Sequence, residues 1–123
     1  MNDRGFKVTG TVRLPSISKP FQNAAAHVSV QDVSRMDVSA TIVASEITRL
    51  SVSEDDIKSG REISFEFTIH GEISDERNIY VVNVHIDVDG NGKISKGDYI
   101  TTGLYSVLTR GYPDRVVVNV DEV

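Results

Sequence analysis

The densest group of oxygen-bearing side chains lies in one segment, Asp87-Val88-Asp89-Gly90-Asn91-Gly92-Lys93-Ile94-Ser95-Lys96-Gly97-Asp98. Its spacing follows the twelve-residue grammar of a calcium loop. Asp87, Asp89 and Asn91 fall at the first, third and fifth positions, each with a side-chain oxygen. Gly92 falls sixth, where the chain must turn sharply, and Lys93 offers its backbone carbonyl at the seventh. Ser95 is placed to act directly or through water, and Asp98 closes the ring. A hard cation that takes six to eight oxygens suits such a set, whereas zinc or copper does not. Crowded carboxylates repel one another, and a bound divalent ion removes that cost. Calcium is the expected cofactor. Asp98 is one methylene shorter than the glutamate usual at the closing position, so weaker binding or competition by magnesium follows.

The same residues also read as a plain hairpin turn, since Asp89-Gly90 and Asn91-Gly92 are both strong turn signals. Other reactive residue types give less. His27, His70 and His85 share no metal-type spacing and read as surface or interface side chains. Ser29, Ser34, Ser39 and Ser45 sit in no nucleophile elbow. The glycines form no phosphate-cradling loop. Carboxylates are abundant, but nothing in their order nominates a general acid and base. A non-catalytic protein is expected.

The elements that must position the loop are β-strands. Phe6, Val8, Val12 and Leu14 share one face of a first strand, and Ala26, Val28 and Val30 alternate with polar residues in a second. Pro15 and Pro20 bracket a connector that is no central strand. Thr41-Ile42-Val43 opens a third segment whose apolar residues Ala40, Val43, Ile47 and Leu50 also fit helical spacing. Its adjacent β-branched residues favour strand. Ser53 is placed to cap a short helical turn that Gly60 ends. Ile63, Phe65, Phe67 and Ile69 alternate with polar neighbours in a half-buried strand, with the two phenylalanines read as core. Tyr80, Val82, Val84 and Ile86 run into the loop, and Tyr99–Thr109 holds a strand interrupted at Gly103. Val116, Val118 and Val120 make the last. The flanks are therefore strands, and a helix–loop–helix sensor is not indicated.

The 123 residues suit one domain spanning 1–123. About seven short strands separated by turns predict an all-β, antiparallel β-sandwich with an EF-hand-like calcium loop between two strands; a closed barrel is the alternative. Val116-Val117-Val118-Asn119-Val120 would be a hazardous edge if unpaired, so it is either central or covered by another chain in an oligomer. With 13 basic and 18 acidic residues, net −5, and basic residues scattered singly, nucleic acid is a poor partner. No apolar run approaches the roughly 20 residues of a transmembrane helix. The absence of cysteine removes disulfides, thiolate chemistry and cysteine-based zinc sites.

Four segments carry a family resemblance: Gly10-Thr11-Val12, Val28 to Asp37 running on to Ala40, Arg77-Asn78-Ile79-Tyr80, and Tyr105-Ser106-Val107-Leu108-Thr109-Arg110-Gly111. In this order, over roughly residues 8–120, they resemble the YscW/YbaY family. That family comprises small envelope lipoproteins, including chaperones (pilotins) of type III secretion outer-membrane rings. The resemblance implies a β-sandwich, a non-catalytic protein-binding role and a bacterial envelope or periplasmic setting. A native start at Met1, without a signal peptide, would instead imply the cytoplasm. Read physically, Asp32, Ser34, Arg35 and Asp37 form a polar network at a strand corner, and Thr109-Arg110-Gly111 closes a strand into a turn.

The expectation is a calcium-stabilised module that binds another protein in a chaperone-like way. A transthyretin-like or carbohydrate-binding surface module is the second reading. It would need a concave aromatic row drawn from Tyr80, Tyr99, Tyr105 and Tyr112.

Overall fold

The computed structural model describes residues 5–34, 40–73 and 75–123. The chain forms β1 (Gly5–Arg13), β2 (Phe21–Asp32), β3 (Thr41–Val52), α1 (Glu54–Lys58), β4 (Ser64–Glu72), β5 (Tyr80–Asp87), β6 (Tyr99–Thr101), β7 (Ser106–Val107) and β8 (Arg115–Glu122). The strands join in one sheet in the order β3-β2-β5-β6-β8-β1-β4, with β7 paired beside β6 on β5.

Two features curl this sheet. The first is β8, which changes partner along its length. Its opening half runs parallel to β1, from Thr9↔Arg115 to Arg13↔Asn119, and its end runs antiparallel to β6, from Tyr99↔Glu122 to Thr101↔Val120. At the changeover the Tyr105 hydroxyl stands in for a strand. It accepts from the Asn119 N–H at 3.1 Å and donates to the Asn119 carbonyl at 3.3 Å. The second feature is a pair of irregularities in the β2–β3 register, at Phe21/Ala24 and at Val30/Gln31. Asn23, between the first two, has φ 57°. Bulges of this kind bend a strand and increase its twist.

The curl brings β3 back over β4. A Cβ on Gly71 would lie 2.9 Å from the Ala44 Cβ, so glycine is what lets the two strands cross this closely. Among the described residues no ladder joins β3 to β4, so the sheet is nearly closed and barrel-like. The expected two-sheet antiparallel sandwich is thereby corrected to one curled sheet containing a parallel pair, because β8 serves both halves.

Inside the curl, Val8 and Val12 of β1, Ile69 of β4 and Val118 of β8 face Ala26, Val28 and Val30 of β2 and Val82, Val84 and Ile86 of β5. All are essentially without solvent contact. Each buried valine or isoleucine among them contributes about 1.5–3 kcal/mol by leaving water. Phe67 joins them and Phe65 packs at the margin. The ambiguous third segment is strand throughout, its residues paired to β2 from Thr41 to Val52. α1 begins at a capping box in which Ser53 and Asp56 bond each other's backbone N–H. Gly60 follows it with φ 69°. The valine-rich segment of β8 is internal, flanked by β1 and β6, so the open edges are β3 and β4 instead. Among the described residues no helix is long and apolar enough to cross a membrane.

Candidate functional site

The loop from Asp87 to Asp98 leaves the end of β5 and returns at the start of β6, held by the pairs Ile86↔Tyr99 and His85↔Ile100. Its position between two strands is the one expected. Asp87 and Asp98 are buried at its base, 3% and 1% exposed, while Asp89, Asn91 and Lys93 are exposed. The Asp87 carboxylate accepts from the N–H of Gly90 at 3.0 Å and of Gly92 at 2.8 Å. Gly90 and Gly92 have φ of 73° and 76°, a conformation glycine adopts without strain. Asp89 and Asn91 each accept from the backbone N–H two residues on. The Ser95 hydroxyl donates to Asp89 at 2.9 Å and accepts from the Asn91 amide at 3.3 Å.

Asp98 ties the base together. It accepts from the Val88 N–H at 2.9 Å and from the Ser95 N–H at 3.2 Å. His85 Nε2 lies 2.8 Å from its second oxygen. His85, Asp87 and Asp98 each place a ligand atom within 4.8 Å of the others. Among the described residues no lysine or arginine pairs with either buried aspartate. Burial, the strongest single influence, pushes the Asp87 carboxyl up. Donation from the N–H groups of Gly92 and Gly90 opposes it, and despite repulsion from Asp98 the Asp87 carboxyl is held below the usual carboxylate range.

Of the six residues expected to bind metal, the structure joins Asp89, Asn91, Ser95 and Asp98 by hydrogen bonds and sets Asp87 beside Asp98, its own carboxylate bonded to the backbone of Gly90 and Gly92. Lys93 joins them only through its N–H, which donates to Asn91. His85 was missed by spacing, because it precedes the loop and its partner follows thirteen residues later. Its period-two placement on β5 one pair from the loop was the available signal. It is half-buried rather than free at the surface, and its ring stacks on that of His27 across the β2–β5 pair at 6.0 Å.

The motif residues meet elsewhere, at one corner. The Ser34 hydroxyl and N–H both donate to Asp32, at 2.6 and 2.9 Å, and the Asn78 amide donates to its other oxygen at 2.8 Å. Ser34 in turn accepts from the Ile79 N–H at 2.8 Å. Thr109, itself buried, donates to the Asn78 carbonyl at 2.7 Å, and Arg110 donates to the Arg77 carbonyl at 2.9 Å. The backbone there is bent hard: Leu108 and Arg110 have φ of 74° and 59°, and the Thr109 N–H reaches the Val107 carbonyl at 2.9 Å. The expected polar network is present at Asp32 and Ser34; Arg35 and Asp37 lie outside the described residues. Burial is the largest influence on the Asp32 carboxyl and pushes it up. The Ser34 and Asn78 donors together hold it below the usual range.

The tyrosines make no concave row. Tyr80 and Tyr99 are in the core, Tyr105 bonds the β8 backbone, and Tyr112 is exposed. The carbohydrate-binding reading loses its support, because the strand alternation that carries Tyr80 and Tyr99 turns them inward.

No curated protein matches the chain. A solved structure described as an alternative pilotin from the type II secretion system of Vibrio cholerae is similar to it, with a TM-score of 0.75 and 25% identity over 97% of each chain. The model of the type III secretion system lipoprotein chaperone (YscW) family matches residues 4–120. That match spans the nearly closed sheet, the loop and the motif corner together, and the chain therefore belongs to the type III secretion system lipoprotein chaperone (YscW) family.

Proposed function

We propose that this chain is a non-catalytic chaperone of the bacterial cell envelope that binds a protein subunit of a secretion-system outer-membrane ring. The supporting observation is similarity along nearly its whole length to a pilotin of the same fold, within a family of secretion lipoprotein chaperones. The motif residues are consistent with this reading in a particular way. Asp32, Ser34, Asn78 and Thr109 spend their polar atoms on one another and on backbone, so they build the scaffold and leave recognition to other surfaces. Removing the chain from its native bacterium should reduce the ring subunit recovered in the outer membrane. Re-expression should restore it. Unchanged ring assembly without the chain would defeat the proposal.

A second reading concerns the loop. We propose that Asp87, Asp89, Asn91, Asp98, the Lys93 carbonyl and Ser95 hold one calcium ion, with magnesium as a weaker competitor. It is favoured by two carboxylates buried together with, among the described residues, no lysine or arginine partner and only the imidazole of His85 beside Asp98, in a segment of calcium-loop spacing. Such burial is costly unless the charge is matched. The ion would bind only the folded state and stabilise it by about 2.7 kcal/mol at a hundredfold excess over Kd. For a domain of this size, that raises the melting temperature by on the order of 10 °C. Chelator should remove the gain, and Asp89→Asn should shrink it. A melting temperature indifferent to millimolar calcium would show that the hydrogen bonds of the loop suffice alone.

A further inference from the structure

The two open edges of the sheet are differently built. β4 exposes Ser64, Glu66, Thr68, His70 and Glu72 along one face, with no large apolar side chain among them. Charges placed this way discourage pairing with another chain. β3 is longer and carries neither lysine, proline nor glycine from Thr41 to Val52. It exposes Ile42 and Ile47, at 61% and 57%. Among the described residues its backbone is paired on one side alone, to β2. Beyond the crossing with β4 at Ala44, its other side offers backbone N–H and C=O groups with no strand partner among the described residues, beside an exposed isoleucine.

We propose that this edge is a self-association surface, on which β3 of a second copy pairs antiparallel about a two-fold axis at Ile47. The strand's own sequence fits a second copy of itself in one register, with apolar side chains paired and no like charges directly opposed. A two-fold at Glu46 or at Arg49 would set like charges directly opposite, which is destabilising. One at Thr48 would oppose Ile47 to Arg49. One at Ile47 sets the two isoleucines against each other, Glu46 against Thr48, Arg49 against Ser45 and Ala44 against Leu50. It also uses more of the strand than a two-fold at Ser45. The cross-strand row Ile47, His27, His85 and Ile100 then runs on into the same row of the second copy. An isologous contact of this kind closes at two chains and leaves no further edge of the same sort to propagate.

The test uses the absence of native cysteine. Directly opposed residues of an antiparallel pair have Cα atoms about 4.5–5.5 Å apart, within disulfide range. Ile47→Cys should therefore crosslink to a dimer under mild oxidation. Ile42→Cys, equally exposed, should not, since the register puts the two copies of residue 42 about 30 Å apart. Light scattering should give twice the 13.5 kDa chain mass for the wild type and the single mass for Ile47→Lys. Circular dichroism checks that each variant is folded. A wild type monomeric at hundred-micromolar concentration, or equal crosslinking at both positions, would overturn the proposal. So would a monomer whose Ile47→Lys variant loses the ring subunit, which would give the edge to that partner. Dimerisation and ring-subunit binding are read separately, so failure of one leaves the other to be judged on its own.

Discussion

Asp32 shows how a single side chain holds three distant segments. Its carboxylate takes donors from Ser34 and Asn78, and through them touches the segments before β5 and after β7. Replacing it by asparagine keeps the shape and puts an amide N–H where an acceptor is needed. Asp32→Asn should cost about 1 kcal/mol, the lower end of the range for an unsatisfied buried group because the corner is only partly buried, measurable by urea denaturation. The pH dependence has a definite sign. A carboxyl held below its unfolded value, about 3.9, contributes stability that is present above that value. The contribution disappears as pH falls through the lower, folded value. The stability gap between wild type and Asp32→Asn should therefore narrow from pH 6 to pH 3. A gap constant over that range would mean that the Asp32 bonds do not depend on its charge.

Legibility at this scale was uneven. Asp32 and Ser34 were visible as members of a short polar motif, because local bonds such as that from the Ser34 N–H to Asp32 need only neighbours in sequence; Thr109 stood in a visible turn motif, but its bond to the Asn78 carbonyl is long-range and was not legible. The Asp87–Asp98 loop was visible for the same reason as the Asp32 motif. His85 was not, since its bond to Asp98 depends on a strand pairing that no spacing rule encodes.

At the scale of elements, β1 and β8 approach each other closely at Gly10. Gly10 lies opposite Val116 in the parallel register, and a Cβ there would run into the Val116 carbonyl and lie 2.7 Å from the Phe67 ring. Backbone cannot give way as a flexible side chain does. Gly10→Ala should destabilise by about 1–3 kcal/mol or more, and thermal denaturation measures it. A neutral result would mean that the parallel pair is looser than described. The strands themselves were readable from period-two alternation, and the α1 turn from Ser53 and Gly60. Pairing was not readable. Alternation says which face of β8 is buried but not that one strand serves β1 and β6 in turn, so the sheet was expected as two layers.

At the scale of the whole molecule, the sheet is curled by β8 and the irregularities between β2 and β3, locked at the Asp32–Asn78–Thr109 corner, and left open at β3 and β4. Its family is one of lipoprotein chaperones of type III secretion. Partner identity was never legible from periodicity, since strand patterns report burial and not recognition. The central claim is that the folded chain binds an outer-membrane ring subunit of its secretion system. Isothermal titration of the purified chain with that subunit tests it most directly. The account predicts saturable binding at one subunit per chain with a negative heat-capacity change, as apolar surface leaves water. Absence of heat and of any co-migrating complex, with both proteins folded, would contradict it.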